Sequence, residues 1–180
     1  PCLNAADTIE KTLQSLRNQT SKKFECIVMD GGSNDGTQNI IKNYRDVVTT
    51  FISKKDASGA EATNKAIKMA SGKFVCFLYA DDYFVDSAVE NIINEYFQNK
   101  EVDYISYGLQ VQSLNSSKVY LKSFSKKNLK ASLNNACFKH VLNHAYKKSL
   151  FEDIGYLKPL YFDGNIFYSN DREFLIRLCL

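Results

Sequence analysis

Five apolar residues, Phe74-Val75-Cys76-Phe77-Leu78, run through Tyr79 and Ala80 into two adjacent carboxylates, Asp81 and Asp82. A run of this length and composition predicts a buried strand. Carboxylates at the carboxyl end of such a strand lie where open α/β sheets hold their ligands. Side chains alternate across a strand, so both carboxylates converge on one point only where the chain leaves extended geometry. Two like charges this close repel and raise a pKa unless a cation lies between them. A hard divalent ion with oxygen ligands, Mg²⁺ or Mn²⁺, meets that demand, with a substrate phosphate completing its shell. The same pair also fits a plain strand-to-helix turn in which one Asp is an N-cap.

The sequence around this run alternates between strand and helix patterns. Asp7 or Thr8 is placed to cap a helix reaching Asn18, with Ile9, Leu13 and Leu16 on one face. Residues 24–29 read as a strand ending at Asp30, and residues 37–44 as a helix carrying Ile40 and Ile41. Residues 47–52 are strand-like, and residues 61–70 form a short helix that Gly72 ends. After the diacid, Asp86 or Ser87 is placed to cap a longer helix with Val89, Ile92, Ile93, Tyr96 and Phe97 inward, and residues 102–107 read as another strand. This alternation predicts βαβ units and an α/β fold with a mostly parallel central sheet flanked by helices. Beyond Gly108 the regularity fades, and residues 111–124 read as a hairpin.

Length and charge narrow the function classes. A chain of 180 residues suits one domain with a sizeable core. A net charge of +3, with no Lys/Arg block interleaved with aromatics, argues against a nucleic-acid partner. No apolar run approaches the ~20 residues needed to span a bilayer. Five cysteines without a C-x-x-C pair, with Cys26 and Cys76 set in apolar runs as small core residues, point to a reduced, cytosolic setting.

Four polar loops could carry chemistry. Asp30-Gly31-Gly32-Ser33-Asn34-Asp35-Gly36-Thr37 lacks both the G-x-x-x-x-G-K-[ST] spacing and G-x-G-x-x-G, so it is not a phosphate loop. Its acidic Asp30 and Asp35 repel free phosphate and instead suit the N–H of a base or the hydroxyls of a ribose. Asp35 also reads as a helix N-cap. The second loop and the helix after it offer Asp56 and Asn64 for nucleotide contact, although Asp56 equally fits a cap. The third is Asp81-Asp82. The fourth, Ser169-Asn170-Asp171-Arg172-Glu173, opens a helix, and Asp171 fits either a cap or a general base facing a cleft.

Together these segments resemble the inverting glycosyltransferase family 2, which has the GT-A fold. The matching residues are Pro1-Cys2-Leu3-Asn4-Ala5, Leu13-Gln14-Ser15-Leu16 with Gln19-Thr20, the run from Glu25 through Asp30 to Thr37, Ala62-Thr63-Asn64-Lys65, Leu78-Tyr79-Ala80-Asp81-Asp82, Asn143-His144-Ala145 and Ser169-Asn170-Asp171-Arg172-Glu173. A D-G-G-S-x-D-G-T loop followed about 45 residues later by A-D-D is a more specific signal than any single motif.

The resemblance implies a role for each position. Asp30 would bind the base or ribose of a nucleoside-diphosphate sugar, a UDP-sugar foremost, and Asp35, Asp56, Asn64 and Asp81 would line the same pocket. Asp82 would be the direct ligand of Mn²⁺ or Mg²⁺, held together with the diphosphate. Asp171 would be the catalytic base that deprotonates the acceptor hydroxyl, and His144 would lie on the acceptor side. The expected arrangement is one GT-A domain over residues 1–180, with a nucleotide-sugar half at 1–108 and an acceptor half at 109–180. The acceptor would be a glycan or a lipid-linked sugar in cell-surface polysaccharide synthesis. The setting would be cytoplasmic, at the inner face of the cell membrane, with peripheral membrane association.

The chain departs from the family pattern. Ser53-Lys54-Lys55-Asp56-Ala57-Ser58 stands where S-E-x-D-x-G is usual, and Glu61 and Ala66 stand where Asp and Gly are common. The family's first strand, normally just before the Pro1 match, is absent, so the sequence reads as a fragment lacking it. These departures motivate an alternative, a catalytically inactive sugar-nucleotide-binding remnant. A receiver-like signalling domain also gathers acidic residues at strand ends, but it lacks support from the continuous series of transferase-like motifs.

Overall fold

The computed structural model describes residues 1–107, 121–124 and 144–157. These fall into two compact units. The first contains Pro1–Gly72, Leu78–Ile93 and Leu157, and the second contains Lys73–Phe77 and the described residues of 94–156.

The first unit begins with helix α1 (Ile9–Arg17), strand β1 (Ile27–Asp30), helix α2 (Thr37–Lys42) and strand β2 (Thr50–Ser53). The i, i+4, i+7 spacing of Ile9, Leu13 and Leu16 makes α1 amphipathic, and all three are buried. Ile9 and Leu13 meet Val28, Ile41, Tyr44 and Val48 in one core cluster, against which Phe51 and Ala80 pack. β1 and β2 pair in parallel, joined by α2 as the crossover. Their register sets Asp30 beside Ser53. On the other side of β1, Cys2 forms a parallel bridge with Asp30 through Cys2 N–H to the Met29 carbonyl (2.8 Å) and Gly31 N–H to the Cys2 carbonyl (2.9 Å).

Helix α3 (Gly59–Met69) starts two residues earlier than the apolar pattern predicts. The reason is a local cap: Ser58 Oγ accepts from Glu61 N–H, and Glu61 Oε2 reaches back to Ala57 N–H at 2.7 Å. Asp56 is therefore not the cap. The caps expected for α1 also differ, since Thr8 occupies the N-cap position without a side-chain cap bond.

The second unit contains strand β3 (Phe74–Cys76), the end of helix α4 (Ala88–Gln98), strands β4 (Tyr104–Tyr107), β5 (Leu121–Phe124) and β6 (His144–Lys147), and helix α5 (Ser149–Ile154). The sheet order is β3-β6-β4-β5, with each neighbouring pair antiparallel. Because β6 runs against both β3 and β4, those two strands run parallel to each other, as expected for strands joined through a helix. β6 comes from far along the chain and inserts between them, a pairing that alternation alone does not reveal. β3 is shorter than the expected strand and half-buried, and Phe77, the residue after it, is buried. Phe77, Tyr146 and Phe151 pack as an aromatic cluster, with ring centroids 5.9–6.2 Å apart. On α4, Ile92 is buried, but Phe97 is 62% exposed rather than inward, since it falls at the edge of the Val89-Ile92-Ile93-Tyr96 stripe.

Candidate functional site

Two loops of the first unit carry four of the candidate residues. The first follows β1. Asp30 is fully buried, at 0% exposure, and its carboxylate is surrounded by donors. One oxygen accepts from Gly32 N–H (3.2 Å), Ser33 N–H (3.0 Å) and Ser53 Oγ (2.6 Å). The other accepts from Ser33 Oγ and lies 3.8 Å from Cys2 Sγ. Burial alone would push this carboxyl up, but the Ser33 and Ser53 hydroxyls and the two amides outweigh it and hold it below its ordinary value. Asp30 thus fixes the loop backbone from within, with the β1–β2 register supplying Ser53.

Asp35 grips the same loop from outside. Its carboxylate accepts from Thr37 Oγ1 (2.6 Å), Thr37 N–H (3.1 Å) and Ala6 N–H (3.0 Å). The Thr37 hydroxyl leads these bonds in pulling the carboxyl down to about 2. Gly36, at φ +104°, occupies the N-cap position of α2, so Asp35 supports the helix start from one residue earlier than a cap would. Asn4 completes the clasp: its N–H donates to Ser33 Oγ (2.7 Å) and its Oδ1 accepts from Asn34 N–H (3.1 Å). Gly32, at φ +89°, allows the turn between Asp30 and Ser33.

The second loop carries the diacid. Asp82 N–H donates to the Tyr79 carbonyl at 3.1 Å, closing a turn over residues 79–82. The chain leaves extended geometry there, as convergence of the two carboxylates requires. Asp81 is exposed and Asp82 is half-buried. Burial first, then the adjacent Asp81 charge, push the Asp82 carboxyl above its ordinary value.

Asp56 and Asn64 are both engaged. Asp56 pairs with Lys65 Nζ at 2.6 Å, and Lys65 also reaches Glu61 at 2.9 Å. Asn64 makes two bonds to the backbone of Leu157, donating to its carbonyl (2.6 Å) and accepting from its N–H (3.0 Å). His144 begins β6 opposite Ser106 in the second unit. Asp171 lies outside the described residues. Among the described residues, no group of three or more His, Cys, Asp or Glu side chains is placed to hold a metal ion. Asp81 and Asp82 are the described carboxylates that could hold a hard ion, with further ligands from substrate or water.

The family model described as "Glycosyl transferase family 2" matches residues 1–155. The chain belongs to glycosyl transferase family 2. Among curated relatives of this family 2 chain is the Escherichia coli UDP-Glc:alpha-D-GlcNAc-diphosphoundecaprenol beta-1,3-glucosyltransferase WfaP, 37% identical over 105 residues, 58% of this chain and 41% of the relative. Among solved structures, S. aureus TarS 1-349 in complex with UDP-GlcNAc aligns with a TM-score of 0.69 at 20% identity, covering 99% of this chain and 51% of that one. The mannosyltransferase PcManGT from Pyrobaculum calidifontis, in complex with GDP-Man and Mn²⁺, aligns with a TM-score of 0.63 at 22% identity, covering 88% of this chain and 46% of that one. The fold is accordingly GT-A-like. The chain spans about half the length, or less, of the relatives it matches. No helix of the described residues is long and apolar enough to cross a membrane.

The partners that shape the loops of this family 2 chain carry no motif of their own. Ser33 and Ser53 hold Asp30, and Thr12, Ser15 and Gln19 hold the segment after the diacid. The available signal was polarity out of place, since Thr12 and Ser15 interrupt the buried face of an amphipathic helix.

Proposed function

We propose that the chain forms the nucleotide-sugar-binding and catalytic part of a metal-dependent, inverting glycosyltransferase. It moves a sugar from a UDP-sugar to a hydroxyl of a glycan or lipid-linked acceptor in cell-surface polysaccharide synthesis, at the inner face of the cell membrane. The observation that carries this reading is the turn over residues 79–82, which takes two adjacent carboxylates, Asp81 exposed and Asp82 half-buried, out of extended geometry. Two adjacent carboxylates suit a hard ion, Mn²⁺ or Mg²⁺, completed by diphosphate oxygens. When bound, the ion supplies charge neutralisation for the departing diphosphate. Asp82 is the direct ligand and Asp81 lines the diphosphate side. Asp30 and Asp35 shape the base and ribose side through the loop they hold, and Asp56 and Asn64 continue that wall.

In this reading Asp171 takes the proton from the acceptor hydroxyl. The acceptor oxygen bonds to the anomeric carbon from the face opposite the nucleotide. The bond from that carbon to the diphosphate breaks and the diphosphate leaves with the electron pair, so one displacement inverts the configuration. His144 contacts the acceptor. The domain reading, residues 1–108 for donor and 109–180 for acceptor, belongs to this proposal.

The test is transfer and hydrolysis of UDP-GlcNAc and UDP-Glc with Mn²⁺, followed through released UDP. Turnover that EDTA abolishes supports the reading. Nucleotide binding without any turnover would favour an inactive sugar-nucleotide-binding remnant, which the engagement of Asp56 by Lys65 and the unusual Ser53-Lys54-Lys55 loop motivate.

A further inference from the structure

We infer that Thr12, Ser15 and Gln19 are positioning residues for Asp82: a buried polar row along α1 and the turn after it fixes the backbone that carries the diacid. The inference rests on the metal-dependent reading of Asp81 and Asp82. Thr12, Ser15 and Gln19 are 5%, 8% and 1% exposed, at i, i+3 and i+7, the face a helix normally fills with apolar side chains. Burying such groups is unfavourable unless each is hydrogen-bonded. All three are bonded, and all three reach the same segment.

Thr12 Oγ1 donates to the Asp82 carbonyl at 2.7 Å. Ser15 Oγ accepts from Phe84 N–H at 3.1 Å and donates to the Thr12 carbonyl at 2.7 Å. Gln19 Nε2 donates to the Val85 carbonyl at 2.8 Å, and its Oε1 accepts from Val89 N–H at 3.0 Å. Thr20 N–H adds a bond to the Asp86 carbonyl at 2.8 Å. The peptide groups on both sides of the Asp82 Cα are therefore tied, the N–H to Tyr79 and the carbonyl to Thr12. A carboxylate that must meet an ion in fixed geometry gains from a backbone held in this way, because groups that orient metal ligands tune affinity without touching the ion.

Core stability alone would explain buried hydrogen bonds, so the test must separate metal geometry from folding. Calorimetric titration of the nucleotide that the wild type binds, UDP or GDP, is run with Mn²⁺ and with EDTA on Thr12→Val, Ser15→Ala and Thr12→Ser. Val48→Ala, a core truncation outside the row, serves as the destabilised comparator. Thr12→Val and Ser15→Ala are expected to weaken Mn²⁺-dependent binding about tenfold, the low end for groups behind a metal ligand. Thr12→Ser should restore wild-type affinity, and Val48→Ala should lower the melting temperature without moving the Mn²⁺ dependence. Ser15→Ala keeps a good helix former, so it retains a folded sample even where Thr12→Val does not. Wild-type metal dependence with unaltered affinity in folded Ser15→Ala and Thr12→Val would overturn the inference alone. A folded wild type without metal-dependent binding would overturn the functional reading, and the inference with it.

Discussion

At the scale of single residues, the two acidic loops use opposite electrostatics. Asp30 and Asp35 are surrounded by donors that favour the ionised form, whereas Asp82 lies half-buried beside another negative charge. Replacing Asp30 by Asn turns an amide toward donors that need an acceptor. The expected loss is about 2–4 kcal/mol, read from urea unfolding, since several buried bonds to a charged acceptor fail together. Asp35 is held down to about 2, below its unfolded value, so its share of stability is present above pH ~4 and is lost as pH falls toward 2. Asp35→Asn should flatten the acid limb of the stability curve in that window. Asp82 has the opposite sign. Its folded carboxyl holds a proton more tightly than it does in the unfolded chain, so stability falls as pH rises through its titration. Asp82→Asn should therefore melt at a higher temperature than the wild type at neutral pH, while losing metal-dependent nucleotide binding. A site in which removing one carboxylate both stabilises the fold and abolishes binding is holding electrostatic strain for function.

At the scale of elements, loop geometry is set where helices and strands begin. Ser58→Ala removes the α3 cap and should cost about 1 kcal/mol, measured by thermal unfolding. Gly36→Ala forces a Cβ onto φ +104° at the start of α2 and should cost about 1–2 kcal/mol, although space around it is open. Much of this level was legible in the sequence. The spacing of Ile9, Leu13 and Leu16 identified α1, and the polar run after Asp30 identified a loop. The pairing of β6 between β3 and β4 was not legible, because strand order is a long-range property with no local pattern. The roles of Ser33 and Ser53 were hidden for a related reason: only the parallel register of β1 and β2 puts Ser53 against Asp30. Thr12 and Ser15 were visible as polar residues on an apolar face, but their partner 70 residues away from Thr12 was not.

At the scale of the whole molecule, family membership, the GT-A-like fold and the diacid turn all bear on one claim, that this chain binds a nucleoside diphosphate through a metal at Asp81 and Asp82. A ligand that binds only the folded state stabilises it by mass action, by about 2.7 kcal/mol at a hundredfold excess over Kd, so binding and melting temperature should move together. The most direct measurement is calorimetric titration of UDP, with GDP in parallel, into the wild type and Asp82→Ala, each with Mn²⁺ and with EDTA. Saturable binding with Mn²⁺ is expected, lost on chelation and lost in Asp82→Ala while that variant stays folded. Equal binding by wild type and Asp82→Ala, or binding indifferent to EDTA, would contradict the claim.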